Sequence, residues 1–434
     1  MKGTFRSLHV RNYRIYFTSQ LVSVSGTWMQ TVAQAFLVLH LAPRGRAGIY
    51  LGLVTALQFL PMLLFGTWGG LIADRVDKRR LLYATQATAG VLALVLGLLT
   101  AVGAVRLWQV FMLATFLGFV NLVDNPARQT FVLELVGRDD LPNAVSLNSV
   151  VMNSARVIGP AIGGALIALV GLAVCFEVNA ASYLAVIIGL SLMRRKDLQR
   201  TTPVARGKGQ LREGLRYVWR TPGLRQPLLL VAVVGTLAYN FQVVLALFAR
   251  FTFHGGAGVY SALTSLMGGG AVAGGLLIAT RNRPNIHRLT AIGMTFGALI
   301  LAVAASPNLT TALVLIFPMG AASIAFIATA NATLQLRAEP SMRGRVMALY
   351  AIAFLGTTPI GSPLVGWISQ ASSPRVALAV GGTATVVASL VTRRHHRRAH
   401  QRAEELERAE ELERGPAIVP VIDEAEPGTE LGVA

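Results

Sequence analysis

Twelve apolar stretches, each about long enough to cross a bilayer, occupy most of this chain. They cover residues 14–40, 49–72, 81–103, 107–124, 143–170 and 173–193, then 227–250, 256–279, 289–305, 310–331, 345–369 and 375–392. A helix needs about 20 mostly apolar residues to cross a hydrocarbon core about 30 Å deep. Lipid offers no partner to backbone N–H and C=O groups, so runs of this length fold as helices, whose backbone bonds are internal. The expected fold class is therefore all-α integral membrane, with twelve transmembrane helices. Composition agrees, because 53% of the 434 residues are hydrophobic and 14% are charged, against about 25% charged in soluble domains. Those charges are too few to coat soluble domains, which excludes a soluble enzyme. The formal charge of +19 would suit a nucleic-acid binder only if the bases gathered on one surface, and they do not.

Of the 39 Lys and Arg residues, 33 lie at the termini and in the even-numbered connections, and 5 in the odd-numbered ones. Arg156 alone sits away from the ends of a stretch, the fifth. Basic residues near span ends stay on the cytoplasmic side, so both termini are expected in the cytoplasm. The first stretch follows Lys2, Arg6, Arg11 and Arg14. It is too long for a signal-peptide core and no small-residue cleavage site follows it, so it is read as a retained span. The single Cys175 permits no intramolecular disulfide.

The longest connection, residues 194–226, carries ten basic residues. It divides the chain into an N-terminal six-helix bundle (1–193) and a C-terminal one (227–392). Within it Leu211, Leu215, Val218 and Trp219 share a helical face and Arg212, Arg216 and Arg220 lie elsewhere, the pattern of an amphipathic helix on the cytoplasmic leaflet. A charged tail, 393–434, holds 10 of the 20 acidic residues. Its AEELER repeat (403–414) places Glu404 with Arg408 and Glu410 with Arg414 at favourable i,i+4 spacing, and its last twenty residues read as disordered. The halves also match each other. GGLIADR (69–75) returns as GGLLIATR (274–281), Asn125 and Gln129 as Asn331 and Gln335, and Ile158-Gly159 as Ile360-Gly361. Parallel six-helix repeats are one way to build a transporter around a central site.

After the second stretch runs Gly70-Leu71-Ile72-Ala73-Asp74-Arg75-Val76-Asp77-Lys78-Arg79-Arg80. Simple cytoplasmic charge would account for its bases. Its order also resembles the loop 2–3 signature of the major facilitator superfamily, with Asp77 where that pattern often has glycine. The resemblance implies that Gly70, Asp74, Arg75, Lys78, Arg79 and Arg80 form a conformational latch; the second-half copy has Thr280 in place of Asp74. In the fifth stretch, Gly159, Pro160, Gly163 and Gly164 resemble the helix-5 motif of the superfamily's proton-coupled exporters, with Ala155 where an upstream glycine is usual. An ordinary kinked packing helix would use the same residues. Residues 5–17, 25–41, 124–149 and 343–367 further resemble the branch of the enterobactin exporter and macrolide efflux proteins. That resemblance spans residues 5–392. It implies the twelve-helix facilitator fold of two pseudo-symmetric bundles, alternating access, and export of an amphiphilic molecule (a drug, siderophore or secondary metabolite) against protons, across the plasma (inner) membrane of a bacterium.

Polar residues inside the spans are the candidates for function, since each is costly in lipid. Ser149, Asn153, Arg156 and Pro160 form one stripe of the fifth stretch, and Arg156 at a helix centre costs about 2.5–3.5 kcal/mol unless water or a partner meets it. Asn121, Asp124, Asn125 and Arg128 form another at the end of the fourth. Ser23, Thr27, Gln30 and Gln34 repeat at i, i+4, i+7 and i+11 on the first, with Tyr239, Asn240 and Gln242 on the seventh, its pseudo-symmetric counterpart. Ser23, Thr27, Gln30, Gln34, Asn121, Asn153, Arg156, Tyr239, Asn240 and Gln242 are therefore expected to line a substrate cavity, though neutral polar residues can equally bond between helices. Asp124 and Glu177 are the candidates for proton coupling, with a structural ion pair to Arg75, Arg79 or Arg128 the competing role for Asp124. The cluster His395, His396 and His400 reads as a solvated basic run.

No Walker lysine motif, metal-ligand spacing or nucleophile elbow is present. The expectation is a monomeric secondary transporter, not an enzyme, with no cofactor or metal, driven by a proton gradient. Its partners would be protons, lipid and a small amphiphile, with no nucleic acid. An importer of a small solute and a non-transporting scaffold or sensor remain the alternatives.

Overall fold

The computed structural model describes residues 5–43, 45–199, 210–281 and 284–414. Its helices are α1 (Arg11–Leu41), α2 (Ala47–Arg75), α3 (Lys78–Ala101), α4 (Leu107–Val170), α5 (Leu172–Leu192), α6 (Gln210–Arg220) and α7 (Pro222–Leu237). They continue as α8 (Phe241–Leu247), α9 (Ala257–Arg281), α10 (Ile286–Ala304), α11 (Leu309–Arg337), α12 (Arg343–Phe354), α13 (Thr358–Ala371) and α14 (Pro374–Arg414). Among the described residues nine helical segments are long and apolar enough to cross a membrane. One of them, the 64-residue α4, supplies two crossings. With α1, whose neutral polar residues dilute its hydropathy, and α9, the chain makes twelve.

Three expected boundaries differ, each for a local reason. Residues 125–142 read as a connection because they are polar, yet they are helical except at Gly137 (φ 74°, ψ −176°), a conformation open to glycine and strained for other residues. Gly137 divides α4 into limbs 107–136 and 138–170, and the Gln199 amide sits where a side chain would stand. The polar residues there are paired: Arg6 with Asp140 at 2.7 Å, Lys78 with Glu134 at 2.9 Å. The seventh crossing breaks between α7 and α8, where the Asn240 amide donates to the Thr236 carbonyl (2.8 Å) and Ser362 of α13 donates to Asn240 (2.8 Å). The eleventh breaks between α12 and α13, where Pro359 has no N–H to continue the ladder. The expectations for 200–209 of the linker and for residues 415–434 fall outside the described residues.

The two halves pack alike. Gly118 of α4 lies against the Gln58 carbonyl of α2, and Gly320 of α11 lies against the Met267 carbonyl of α9. Between halves, α2 lies along α13, and the second limb of α4 lies along α9. Contacts joining them run from the end opposite the basic connections to the middle. They include Gly48 with Gly366, Gly164 with Ser261, and the Ser265 hydroxyl donating to the Val157 carbonyl at 2.9 Å.

At the basic end Lys78 and Glu134 are 9% and 12% exposed at their side chains. Removing one partner of a buried pair costs about 3–5 kcal/mol, whereas an apolar replacement of both is often neutral. Lys78→Met is expected to lower the unfolding temperature of the purified protein in detergent, and Lys78→Met with Glu134→Leu to recover most of the loss. A single variant as stable as the parent would refute that assignment.

Candidate functional site

A cavity of about 280 Å³ lies against the first half, lined by Thr27 and Trp28 of α1, Gln58 of α2, Gln86 of α3, Asn121 and Asp124 of α4 and Tyr183 of α5, with Gln242 of α8 reaching in from the second half. Its wall is mixed: Phe59, Met62 and Leu117 present apolar surface between these polar groups. Toward the end opposite the basic connections it narrows to a space of about 30 Å³ among Gln30, Gln34, Thr55 and Gln242, room for a water molecule and little more.

Asp124 is 3% exposed. The sequence places it at the end of a span, but α4 continues to residue 136 before its break, so the carboxylate stands inside the bundle. One oxygen accepts from the Thr85 hydroxyl (2.6 Å) and the Gln86 amide (2.8 Å); the other pairs with Arg128, which also donates to Gln20 of α1. Arg128 is thus the partner among the three considered. A buried carboxylate that meets a half-buried guanidinium and accepts two further hydrogen bonds is an arrangement in which the charge tolerates burial. Adding or removing one proton changes its charge balance.

Arg156, in the second limb of α4, lies over the Trp28 ring at 5.1 Å and interacts with the Tyr239 hydroxyl of the opposite half. Its Nε is buried without a hydrogen-bond partner, and no described ion pair involves it. A guanidinium so placed joins the halves through Trp28 and Tyr239, one layer behind the residues that line the cavity.

The other expected cavity residues divide. Thr27, Asn121 and Gln242 line the cavity, and Gln30 and Gln34 line its narrow extension. Gln30 also accepts from Asn179 at 2.6 Å. Asn153 donates to the Ser149 carbonyl of its own helix, Ser23 is buried, and Asn240 is committed to the α7–α8 break. Tyr239 packs among Phe241, Phe296 and Phe354. Glu177 packs against Gly97 of α3 and is not brought to the cavity. Gln58, Gln86, Thr31 and Tyr183 line the cavity although sequence reasoning passed over them; Gln58, a single amide in an apolar run, forms no stripe.

The two motifs act at helix contacts. Gly159 and Gly163 meet Trp28 and Met29 of α1, while Gly164 meets Ser261 of α9; Pro160 is buried between them. Small residues here let the second limb of α4 approach both halves. In the loop signature, Lys78 binds Glu134 and Arg79 donates to the Leu190 and Ser191 carbonyls at the end of α5. These two are spent inside the first half. Gly70 and Asp74 are half-buried near the end of α2, while Arg75 and Arg80 are exposed, and Asp77 caps α3 by accepting from the Arg80 N–H (2.9 Å).

A family model described as Transmembrane secretion effector matches residues 2–423. The chain is 31% identical over 181 residues to the staphyloferrin A transporter of Staphylococcus aureus, covering 41% of this chain and 45% of that protein, so it spans about half that relative's length. It is 26% identical over 366 residues to the multidrug efflux pump Tap of Mycobacterium tuberculosis, covering 81% of this chain and 85% of that one. Its fold is similar to a solved POT family transporter in complex with a thioalcohol-conjugated peptide, with a TM-score of 0.70, 12% identity, and coverage of 88% of this chain and 95% of that chain.

Proposed function

The chain belongs to the transmembrane secretion effector family of major facilitator transporters, and from that membership we propose that it exports a small amphiphilic molecule from the cytoplasm by alternating access, in exchange for protons. The basic end is the cytoplasmic one by the rule that Lys and Arg stay inside. The halves then touch at the outer end and the cavity is reached from the cytoplasm. Aromatic and aliphatic groups beside neutral amides suit a substrate with both apolar and polar parts. Efflux by a relative matched over most of both chains supports the outward direction.

The observation that carries the reading is Asp124, a buried carboxylate in the cavity wall, paired with Arg128. A proton taken up by Asp124 from the outside would leave Arg128 without its countercharge, favour a different packing of the halves, and be released inward. One charge moving through 100 mV supplies about 2.3 kcal/mol, more than the 1.4 kcal/mol of a tenfold gradient. The test is transport in inside-out vesicles energised by acidifying their interior. Uptake of a lipophilic dye that collapses the pH gradient supports antiport. Accumulation driven only by the reversed gradient would make the protein an importer.

Arg156 refines the substrate. Asp124 and Arg128 cancel, whereas Arg156, stacked on the cavity residue Trp28, is a cation that no described ion pair offsets. Substrates bearing a carboxylate or phenolate are favoured over cations of equal size. Arg156→Gln is expected to weaken transport of an anionic amphiphile by about tenfold, as for a lost charge-assisted hydrogen bond worth about 1.5–3 kcal/mol, and to leave a neutral analogue nearly unaffected. Equal losses for both in competition assays would contradict this preference.

A further inference from the structure

Outside the central cavity, a groove of about 620 Å³ lies between α7 and α14, bounded by Leu229, Leu230, Val233, Val387 and Val391. At its mouth stand Trp219 of α6, Arg225 and His395. A second recess of about 480 Å³ adjoins it through Trp219 and Arg225 and is lined also by Leu215, Arg216 and Arg220. Both volumes fall in the range of about 300–1,000 Å³ usual for ligand sites.

The groove is built for one kind of molecule. Arg225 lines its mouth, Arg216 and Arg220 line the adjoining recess, and no carboxylate is among the described lining residues; the nearby Glu213 is engaged by Arg345 at 2.6 Å. Arg225 lies over the Trp219 ring at 5.9 Å, which holds both at the rim. Trp219 is 53% exposed and Leu229 47%, so large apolar surface stands directly beneath the charges. From Arg225 to Val233 the helix descends about 12 Å, most of the roughly 15 Å depth of one leaflet. The basic end and the Trp rim set the mouth at the cytoplasmic headgroup level.

We propose that this groove binds an anionic phospholipid of the cytoplasmic leaflet, with its phosphate held by Arg216, Arg220 and Arg225 and one acyl chain along Leu229, Val233 and Val387. Basic pockets between helices on this side of a membrane suit such headgroups. Charge complementarity selects the lipid over a zwitterionic one, and the apolar floor selects it over a free anion. The bound lipid would join α6, part of the connection between the halves, to α7 and α14 of the second half. The site is independent of which substrate the central cavity carries.

Full-length protein purified in detergent is titrated with dioleoyl phosphatidylglycerol or dioleoyl phosphatidylcholine, and bound lipid is counted by native mass spectrometry. The expected result is one retained phosphatidylglycerol per chain, at an affinity at least about tenfold above phosphatidylcholine. Arg216→Gln, Arg220→Gln and Arg225→Gln together should remove that preference. Should the triple variant not fold, Arg225→Gln alone should reduce it about threefold. Equal retention of the two lipids, or a preference that survives these substitutions, overturns the proposal. So does full displacement by millimolar inorganic phosphate, which would mark a free-anion site. Retention that emerges only after removal of residues 415–434 would make the acidic tail the occupant and overturn it as well.

Discussion

Asp124→Asn is expected to abolish substrate accumulation driven by a pH gradient while leaving downhill exchange of substrate across the same membrane. One net charge moved through 100 mV supports an accumulation of about fifty-fold, and in the variant the ratio falls to about one. Asparagine keeps the shape of the side chain and an oxygen for the Thr85 and Gln86 donors, but it carries no exchangeable acidic proton. It also leaves the half-buried guanidinium of Arg128 without its countercharge, at a cost below the figure of about 3–5 kcal/mol for breaking a fully buried pair. A loss of transport through instability is therefore separated by a second variant. Asp124→Asn with Arg128→Gln removes both charges and should restore the unfolding temperature without restoring coupling. If the double variant still accumulates substrate in response to the gradient, Asp124 is not the group that carries the proton.

The second large effect is expected at the end opposite the basic connections, where Gly48 of α2 and Gly366 of α13 bring two backbones together and each glycine stands against the other's carbonyl. A side chain at either position runs into backbone, which cannot swing aside. Overpacking of this kind costs about 1–3 kcal/mol. The molecule can avoid that cost by separating the halves at this end, so Gly366→Val should favour the outward-open state by about 5- to 150-fold. Cys175 is fully buried, so a cysteine placed at Thr27 becomes the reporter. Its labelling by a membrane-impermeant thiol reagent from outside should accelerate at least about fivefold in Gly366→Val. Unchanged labelling in a folded variant would mean that this contact does not hold the outer end closed.

Much of the architecture was legible because lipid imposes a length and a hydropathy on every crossing. The alternation of basic connections counted the crossings even where helices are broken, since a break at Asn240 or Pro359 does not change which side a loop reaches. Residues 125–142 were not legible in the same way. Their Asp, Arg and Asn residues look like a solvated loop, and only the pairing of Lys78 with Glu134 and Arg6 with Asp140 explains how they continue a helix. The same extension moved Asp124 from a span end to the cavity wall. The stripe in α1 located Thr27, Gln30 and Gln34, whereas Gln58, a single amide in an apolar run, and Gln86 join the cavity only when α2 and α3 are folded beside α4. Asn240 shows the converse: its side chain reads like a ligand group and serves to terminate a helix.

The last helix has a mechanical consequence. α14 runs for 41 residues, from the end of its crossing opposite the basic connections to Arg414, a rod about 60 Å long. A rod of this kind cannot rock at one end alone. If the second half tilts by about ten degrees about the rod's midpoint, the tip at the basic end sweeps about 5 Å. The state of the cavity is thereby displayed at a distance from the bilayer, as the position of a pointer.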